Sequence, residues 1–244
     1  MKVHRATLGC VAVGLLVCSL SAPVWAQAAQ VRTVDQAASV FQAIVAMQDR
    51  AVPDALLRQA TAIAIIPNVR RIGFVIGGQS GRGVLLVRSD NGSWGRPLFV
   101  LMRGASVGWQ IGIQSADVVL FFRTRQSVNG VLQGGFTLGV NASVAAGGLG
   151  REAAAATDES LQAEIYSYSR TRGLFAGVSV EGATLDVDYN ANSAFYGKQI
   201  ESAAEVTAGD GLPDPPSAIR LQQALAHGFT EGIDFRPENP YHNG

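Results

Sequence analysis

The sequence predicts an α+β fold: a mostly antiparallel curved sheet or barrel-like core, flanked by N-terminal and C-terminal helices. Three observations carry this. Apolar residues alternate with small or polar ones along residues 105–114 and again along 136–144, the period of half-buried strands. Apolar patterns of helical period bracket that run, at residues 34–45 and 216–228. The 244 residues include 28 Gly and only 16% charged side chains, which favours turns and close backbone packing over a helical bundle.

The first 26 residues read as a secretory signal peptide. Lys2 and Arg5 give a basic start, and Ala6 to Leu20 runs without a charge. Val24-Trp25-Ala26 then supplies the −3 to −1 positions of a cut before Gln27. The apolar run falls short of the roughly 18 residues of a membrane span. Cys10 and Cys18 both lie in this segment, and the bulky Val17 argues against lipid attachment at Cys18. The expected mature protein is therefore exported, periplasmic or envelope-associated, and free of cysteine chemistry.

A domain over residues 27–205 is expected next. Thr33-Val34-Asp35-Gln36 has the form of a capping box opening an amphipathic helix. Pro53 is placed at N1 of a second short helix ending at Ala60. Ala62–Ile66 reads as a buried strand stopped by Pro67. Ile72–Ile76 and Gly83–Arg88 read as strands flanking a glycine-rich hairpin loop, Gly77 to Arg82. Asp90-Asn91-Gly92 is a turn signal before a strand over Trp94–Met102. Residues 105–114 form a strand, Ser115-Ala116 a turn, and Val118–Phe122 another strand. A helix covers Arg125–Gln133, and Gly147–Thr157 is a long loop. Ile165–Arg170 and Leu174–Val180 pair around Arg172-Gly173. Asn190–Val206 is helical with a break near Gly197. Residues 206–244 read as a proline-containing linker, a short helix and a polar tail. Helices interrupt too few strands of membrane length for an outer-membrane barrel.

Charge is balanced overall, 19 basic against 19 acidic residues, but uneven along the chain. Residues 58–125 hold nine Arg and two acids, Asp90 and Asp117, a net of +7. Residues 126–244 hold five Arg, Lys198 and fourteen acids, a net of −8. Either the basic half meets an anionic partner, or the two halves neutralise each other within the fold. Without Lys2 and Arg5 the mature net charge is −2, which with export disfavours nucleic acid.

Several stretches together resemble the SYLF domain family, also called Ysc84 or DUF500. They are Ile65-Ile66-Pro67, Gly73-Phe74, Gly83 to Arg88, Ser106 to Gly112, Gln114 to Val119, and Asn141 to Gly147. Ser167 to Arg170, Arg172 to Gly177, Glu181-Gly182-Ala183 and Tyr196-Gly197 complete the set, in the family's order over residues 35–200. The resemblance implies a non-enzymatic domain that binds phosphoinositides or other anionic lipids in eukaryotic members. Some of those members also bind actin and carry an SH3 domain. An exported chain would not meet cytoplasmic actin. Gln59-Ala60-Thr61-Ala62 stands where the family often has basic residues before the first strand.

The candidate lipid-binding residues are Arg70, Arg71, Arg82, Arg88 and Arg96, whose guanidinium forks suit phosphate. Arg70-Arg71 follow a proline turn, and Arg82 sits on the expected glycine loop. Trp94 and Trp109 could anchor at an interface, though a strand pattern favours burial for both. The expected partner is an anionic phospholipid or membrane surface; the alternative is a structural or protein-interaction module of the envelope. Gly104-Ala105-Ser106-Val107-Gly108 matches the nucleophile-elbow pattern, with His227 as a conceivable partner. The elbow needs a strand, a sharp turn and a helix, whereas the residues after Ser106 alternate like a strand, so no enzyme is expected. Gly77–Gly83 lacks the order and lysine of a nucleotide loop. Asp186 and Asp188 fall on one side of a strand, too few oxygens for calcium. No metal and no cofactor are expected.

Overall fold

The computed structural model describes residues 22–46, 52–147, 162–171, 174–208 and 211–234. Six helices and seven strands are defined there: α1 Ala22–Val45, α2 Asp54–Gln59, β1 Ala62–Val87, β2 Leu98–Phe122 and α3 Arg125–Gln133. They continue with β3 Phe136–Thr137, β4 Val144–Ala146, β5 Ile165–Thr171, β6 Leu174–Gly177 and β7 Thr184–Val187. The helices α4 Tyr189–Tyr196, α5 Ala203–Ala208 and α6 Pro216–Asp234 complete the chain. The fold is α+β, with a sheet curled into a half-barrel and helices at both ends, as the sequence predicts. Every pairing is antiparallel except β4 with β5.

β2 is the spine. One edge pairs with β1 from Leu98–Leu85 to Phe122–Ala62. The other edge takes β7 at residues 100–103 and β5 at 117–122. Ala62 to Ile66 and Val118 to Phe122 are fully buried without alternation, because both sheet faces are covered there.

Three expected breaks do not exist. The two strands, loop and strand read over residues 62–88 are one strand of 26 residues. Ser115-Ala116 does not turn, and β2 runs through it. Pro67 does not end the strand either. It sits at a bulge, where pairing passes from Ile66–Val118 to Val69–Ala116. Asn68 takes a left-handed φ of 53°, which Asn tolerates, and its N–H donates to Asp117 Oδ1 at 3.0 Å. Glycines 77, 78 and 81 lie in the ladder opposite Ser106, Ala105 and Met102.

Gly81, and Gly83 after it, permit close approach. A straight strand of 26 residues would span roughly 86 Å. Yet Arg88 N–H donates to Thr61 O at 2.8 Å, so the two ends of β1 meet. The strand folds back where its register slips between Gly73–Gly112 and Val75–Gly108. Arg71 Nε reaches Gln79 Oε1 at 3.2 Å across that bend. Eight residues of straight strand would hold them roughly 26 Å apart. Beyond the bend the second half crosses the first. A Cβ on Gly83 would lie 2.2 Å from Ile65 O and 2.6 Å from Ile66 Cα. One on Gly81 would lie 2.8 Å from the side chains of Ile66 and Val69.

α1 differs from the capping-box expectation. It begins at Ala22 and passes through Thr33, whose Oγ1 donates to Ala29 O at 3.2 Å within the helix. A hydroxyl spent on its own helix cannot cap it. The expected apolar face holds: Val34, Ala37, Phe41 and Ile44 are buried. α2 begins at Asp54 with Pro53 one position earlier than expected, at the N-cap. α3 starts and stops where the sequence places it, with Thr124 accepting from Ser127 N–H. The break near Gly197 is real, since that residue ends α4 with a φ of 65°. β5 and β6 pair as expected, Arg170 opposite Phe175. The expected loop 147–157 lies outside the described residues beyond Gly147.

α6 completes the core. Ala218, Leu221, Leu225 and Phe229 are buried. Phe229 stacks on Phe41 of α1 at 5.7 Å and meets Trp94 at 4.7 Å. Gly228 sits beneath the Phe41 ring, where a Cβ would come within 2.7 Å.

Candidate functional site

The segment between β1 and β2 builds the site. Arg88 and Trp94 form an isolated bridge around a tight turn. In that turn Gly92 N–H donates to Ser89 O and Ser89 N–H to Ser93 O, both at 2.9 Å. Asn91 Oδ1 accepts from Ser93 N–H at 3.0 Å, and Gly92 takes a φ of 86°. This is the turn that Asp90-Asn91-Gly92 predicts. From α6, Gln222 Nε2 donates to Trp94 O and Gly95 O, fixing the helix against the turn.

Arg88, Arg96 and Arg125 converge on one cleft of about 230 Å³, together with Val87, Ser89, Gly95 and Thr207. They come from the end of β1, the lead into β2 and the first turn of α3. The guanidinium of Arg88 lies 5.8 Å from the Trp94 ring and 5.7 Å from the Phe229 ring. Its Nε donates to Gly92 O at 3.2 Å. Arg96 forms a fork onto Asp214, at 2.7 and 3.0 Å, and also donates to Leu212 O. Arg125 pairs with Asp90 at 2.8 Å, whose side chain is wholly exposed. A second cleft of about 380 Å³ adjoins the first, sharing Gly95, Arg96 and Thr207, with Trp94, Val206 and Ile219 in its walls. Burial pushes the Tyr196 phenol well up, and its hydroxyl donates to Pro97 O at 2.7 Å.

The other three candidate arginines lie along the folded strand. Arg70 is exposed, opposite Ser115 in the ladder. Arg71 is half-buried on Gln79. Arg82 is exposed but pairs with Asp188 at 2.7 Å. Of the five, Arg88 and Arg96 line a common cleft. Of the two readings of charge, neutralisation is seen in part. Arg82 and Arg96, from the basic half, pair with Asp188 and Asp214 of the acidic half.

Arg125, Ser89 and Thr207 were not singled out in the sequence. Arg125 was visible only as one of nine basic residues and a helix start. Thr207 lies far along the chain, and no local pattern links it to Arg88. Trp94 is buried against Phe229, which favours packing over anchoring. The side chain of Trp109 lies outside the described residues.

Ser106 pairs with Gly77 within β2, and the strand continues beyond it, so the turn and helix of a nucleophile elbow are not found there. Asp186 and Asp188 are not a cation pair. Asp186 Oδ1 accepts from Gly135 N–H at 3.0 Å. Asp188 caps α4 through Ala191 N–H and binds Arg82. No metal-binding cluster occurs among the described residues, and no described helix is long and apolar enough to cross a membrane.

The described residues define an α+β domain whose curled half-barrel carries terminal helices and an arginine-lined cleft. Comparison with known proteins identifies it further. The family described as Ysc84, Las17-binding protein actin regulator, matches residues 103–228. LAS seventeen-binding protein 3 of Saccharomyces cerevisiae is 36% identical over 194 residues, covering 78% of this chain and 41% of that protein. The SH3 domain-containing YSC84-like protein 1 of Homo sapiens is 34% identical over 184 residues, covering 75% and 53%. The Xenopus laevis protein of the same name is 32% identical over 192 residues, covering 78% and 56%. The chain belongs to the Ysc84, or SYLF, family. It spans about half the length of the curated relatives it matches.

Proposed function

We propose that this chain is a non-enzymatic module that binds anionic lipid at a membrane surface of the cell envelope, after export and cleavage following Ala26. The observation that supports it most is Arg88. Among the described residues this half-buried guanidinium has backbone carbonyls and aromatic rings for company and no carboxylate in an ion pair. Arg70, Arg71 and Arg82 add a second basic stretch on the folded strand. Each basic residue near an anionic bilayer contributes roughly 1 kcal/mol. Three give about 3 kcal/mol, short of the ~4 kcal/mol of millimolar binding. Surface attraction alone is therefore too weak, and a cleft that engages the headgroup makes up the difference.

Sedimentation with neutral phosphatidylcholine vesicles and with vesicles containing phosphatidylglycerol, at low and physiological salt, tests this. Association with the anionic vesicles that survives physiological salt, and weakens in Arg70→Glu/Arg71→Glu, is expected. No association at either salt defeats the membrane reading. Cell fractionation with N-terminal sequencing of the mature chain tests export; a chain retained inside the cell with Met1 intact rejects it.

The family description favours a second reading, a protein-interaction module related to actin regulation. It requires a chain that shares a compartment with actin. Co-sedimentation with filamentous actin, absent with vesicles, would establish it in place of the first.

A further inference from the structure

We infer that Asp117 is a positioning residue: it holds the bulge at Pro67–Asn68, and that bulge decides that Arg70, rather than its neighbour Arg71, is presented to an anionic partner. It rests on the membrane reading only for the nature of that partner.

In a regular strand, residues an even number of positions apart share a face, and residues an odd number apart do not. Ile66 and Val69 are an odd number apart, yet both are fully buried, and a Cβ on Gly81 would lie 2.8 Å from a methyl carbon of each. They share a face because Pro67 and Asn68 together stand opposite Asp117 alone, between the pairs Ile66–Val118 and Val69–Ala116. The inserted residue resets the alternation for the residues after it. Arg70 therefore falls on the face opposite Val69, and it is exposed. Arg71 returns to the face of Val69, where it is half-buried and its Nε donates to Gln79 Oε1 at 3.2 Å. Without the bulge the two arginines would exchange faces, and Arg70 would share the buried face of Ile66.

The bulge needs holding. Asn68 takes a φ of 53°, a conformation disfavoured for a residue with a Cβ, which persists where surrounding contacts fix it. Asp117 supplies the contact. Its Oδ1 accepts from Asn68 N–H at 3.0 Å, and its Oδ2 accepts from Arg170 Nε and Nη2, both at 2.8 Å. Arg170 stands directly opposite Asp117 on β5. The Asp117 side chain is 13% exposed, so these charge-assisted bonds are better shielded than those of a surface pair. One carboxylate thus fastens the bulge of β1 to the strand on the far side of β2.

The test is modification of the folded full chain with p-hydroxyphenylglyoxal, an arginine reagent, with the rates at Arg70 and Arg71 read separately by mass spectrometry. Arg70 should react several-fold faster than Arg71 in the unaltered protein. In Asp117→Ala the ratio should fall towards one. Asp117→Asn keeps the shape of the side chain and weakens its bonds, so a smaller fall in the same direction is expected there if Asp117→Ala does not fold. Adding Asn68→Gly to either variant should restore the ratio, because glycine adopts a left-handed φ without the clamp. A general loosening of the fold would show no such rescue. A ratio unchanged in every folded Asp117 variant overturns the inference, as does a lowered ratio that Asn68→Gly fails to restore. Sedimentation with phosphatidylglycerol vesicles runs in parallel. Arg70→Gln should weaken association about fivefold, the worth of one basic residue at an anionic surface, and Arg71→Gln should weaken it less. Equal or greater weakening by Arg71→Gln overturns the selective presentation of Arg70. A modification ratio that depends on Asp117, with no vesicle association in any protein, leaves the positioning role standing and removes the membrane reading.

Discussion

Gly83 and Arg88 stand a few residues apart at the end of one strand, in opposite circumstances. At Gly83 two stretches of backbone touch, and a single added carbon would fall 2.2 Å from Ile65 O. At Arg88 the chain opens onto a cleft of about 230 Å³ walled by charge. The contrast separates two uses of sequence. Near the crossing, small residues permit contact, and stability depends on what is missing from them. Near the cleft, long side chains hold a space open, and recognition depends on what they present.

Substitutions can sharpen or break that division. The largest effect should come from Gly83→Val, which drives a side chain into backbone that cannot move aside. A loss of ~3 kcal/mol or more, or failure to fold, is expected in urea denaturation. Gly78, on the same strand with nothing within 4 Å of its added Cβ, should accept Ala within about 0.5 kcal/mol. Equal losses at both glycines would break the comparison. Phe229→Ala should follow, at about 3 kcal/mol, because this ring is buried in the core and packs against Phe41, Trp94 and the Arg88 guanidinium. Thermal unfolding should show that loss.

Smaller effects lie at α3. Thr124→Ala removes the N-cap and should cost about 1 kcal/mol in the same denaturation assay. Glu164 accepts from the hydroxyls of Ser127 and Thr124, and the Ser127 bond is the main cause that holds its carboxyl below the usual range. A carboxylate lowered in the folded state stabilises the fold above its unfolded pKa. That contribution disappears as pH falls through the folded value. The slope of stability against pH in the acid range should therefore flatten in Glu164→Gln; an unchanged slope would remove Glu164 as its source. The smallest effect belongs to Arg220→Ala. Its ion pair with Asp35 is exposed on both sides, and a loss of at most ~0.5 kcal/mol is expected in thermal unfolding.

Much of the fold was legible because much of it is local. α3 runs from Arg125 to Gln133 as read, and Gly197 ends α4, since caps and left-handed glycines act within a turn of the chain. β1 was not legible for the opposite reason. Pro67 and the glycines from 77 to 83 carry the local signs of strand ends and turns. Their roles are set by partners distant in sequence: Asp117 receives Asn68 N–H, and Ile65 needs Gly83 small. Thr33 shows the same limit in a helix, because a capping pattern does not reveal that the helix has already begun. For the cleft, the sequence offered Arg88 and Arg96 within a basic stretch. It could not add Thr207, which joins them only through the packing of α5 and α6 around the turn.

The pairing of the chain's two outer helices sets the order in which the molecule can form. Arg220 and Asp35 are 185 positions apart, and the rings of Phe41 and Phe229 close the same seam. Joining ends so distant costs entropy before the contact returns anything, and topologies rich in such contacts fold slowly. A growing chain therefore carries the exposed apolar face of α1 until α6 is made. During that interval it is open to aggregation and to whatever holds unfinished chains. A chain that stops before Phe229 lacks the ring that closes this seam.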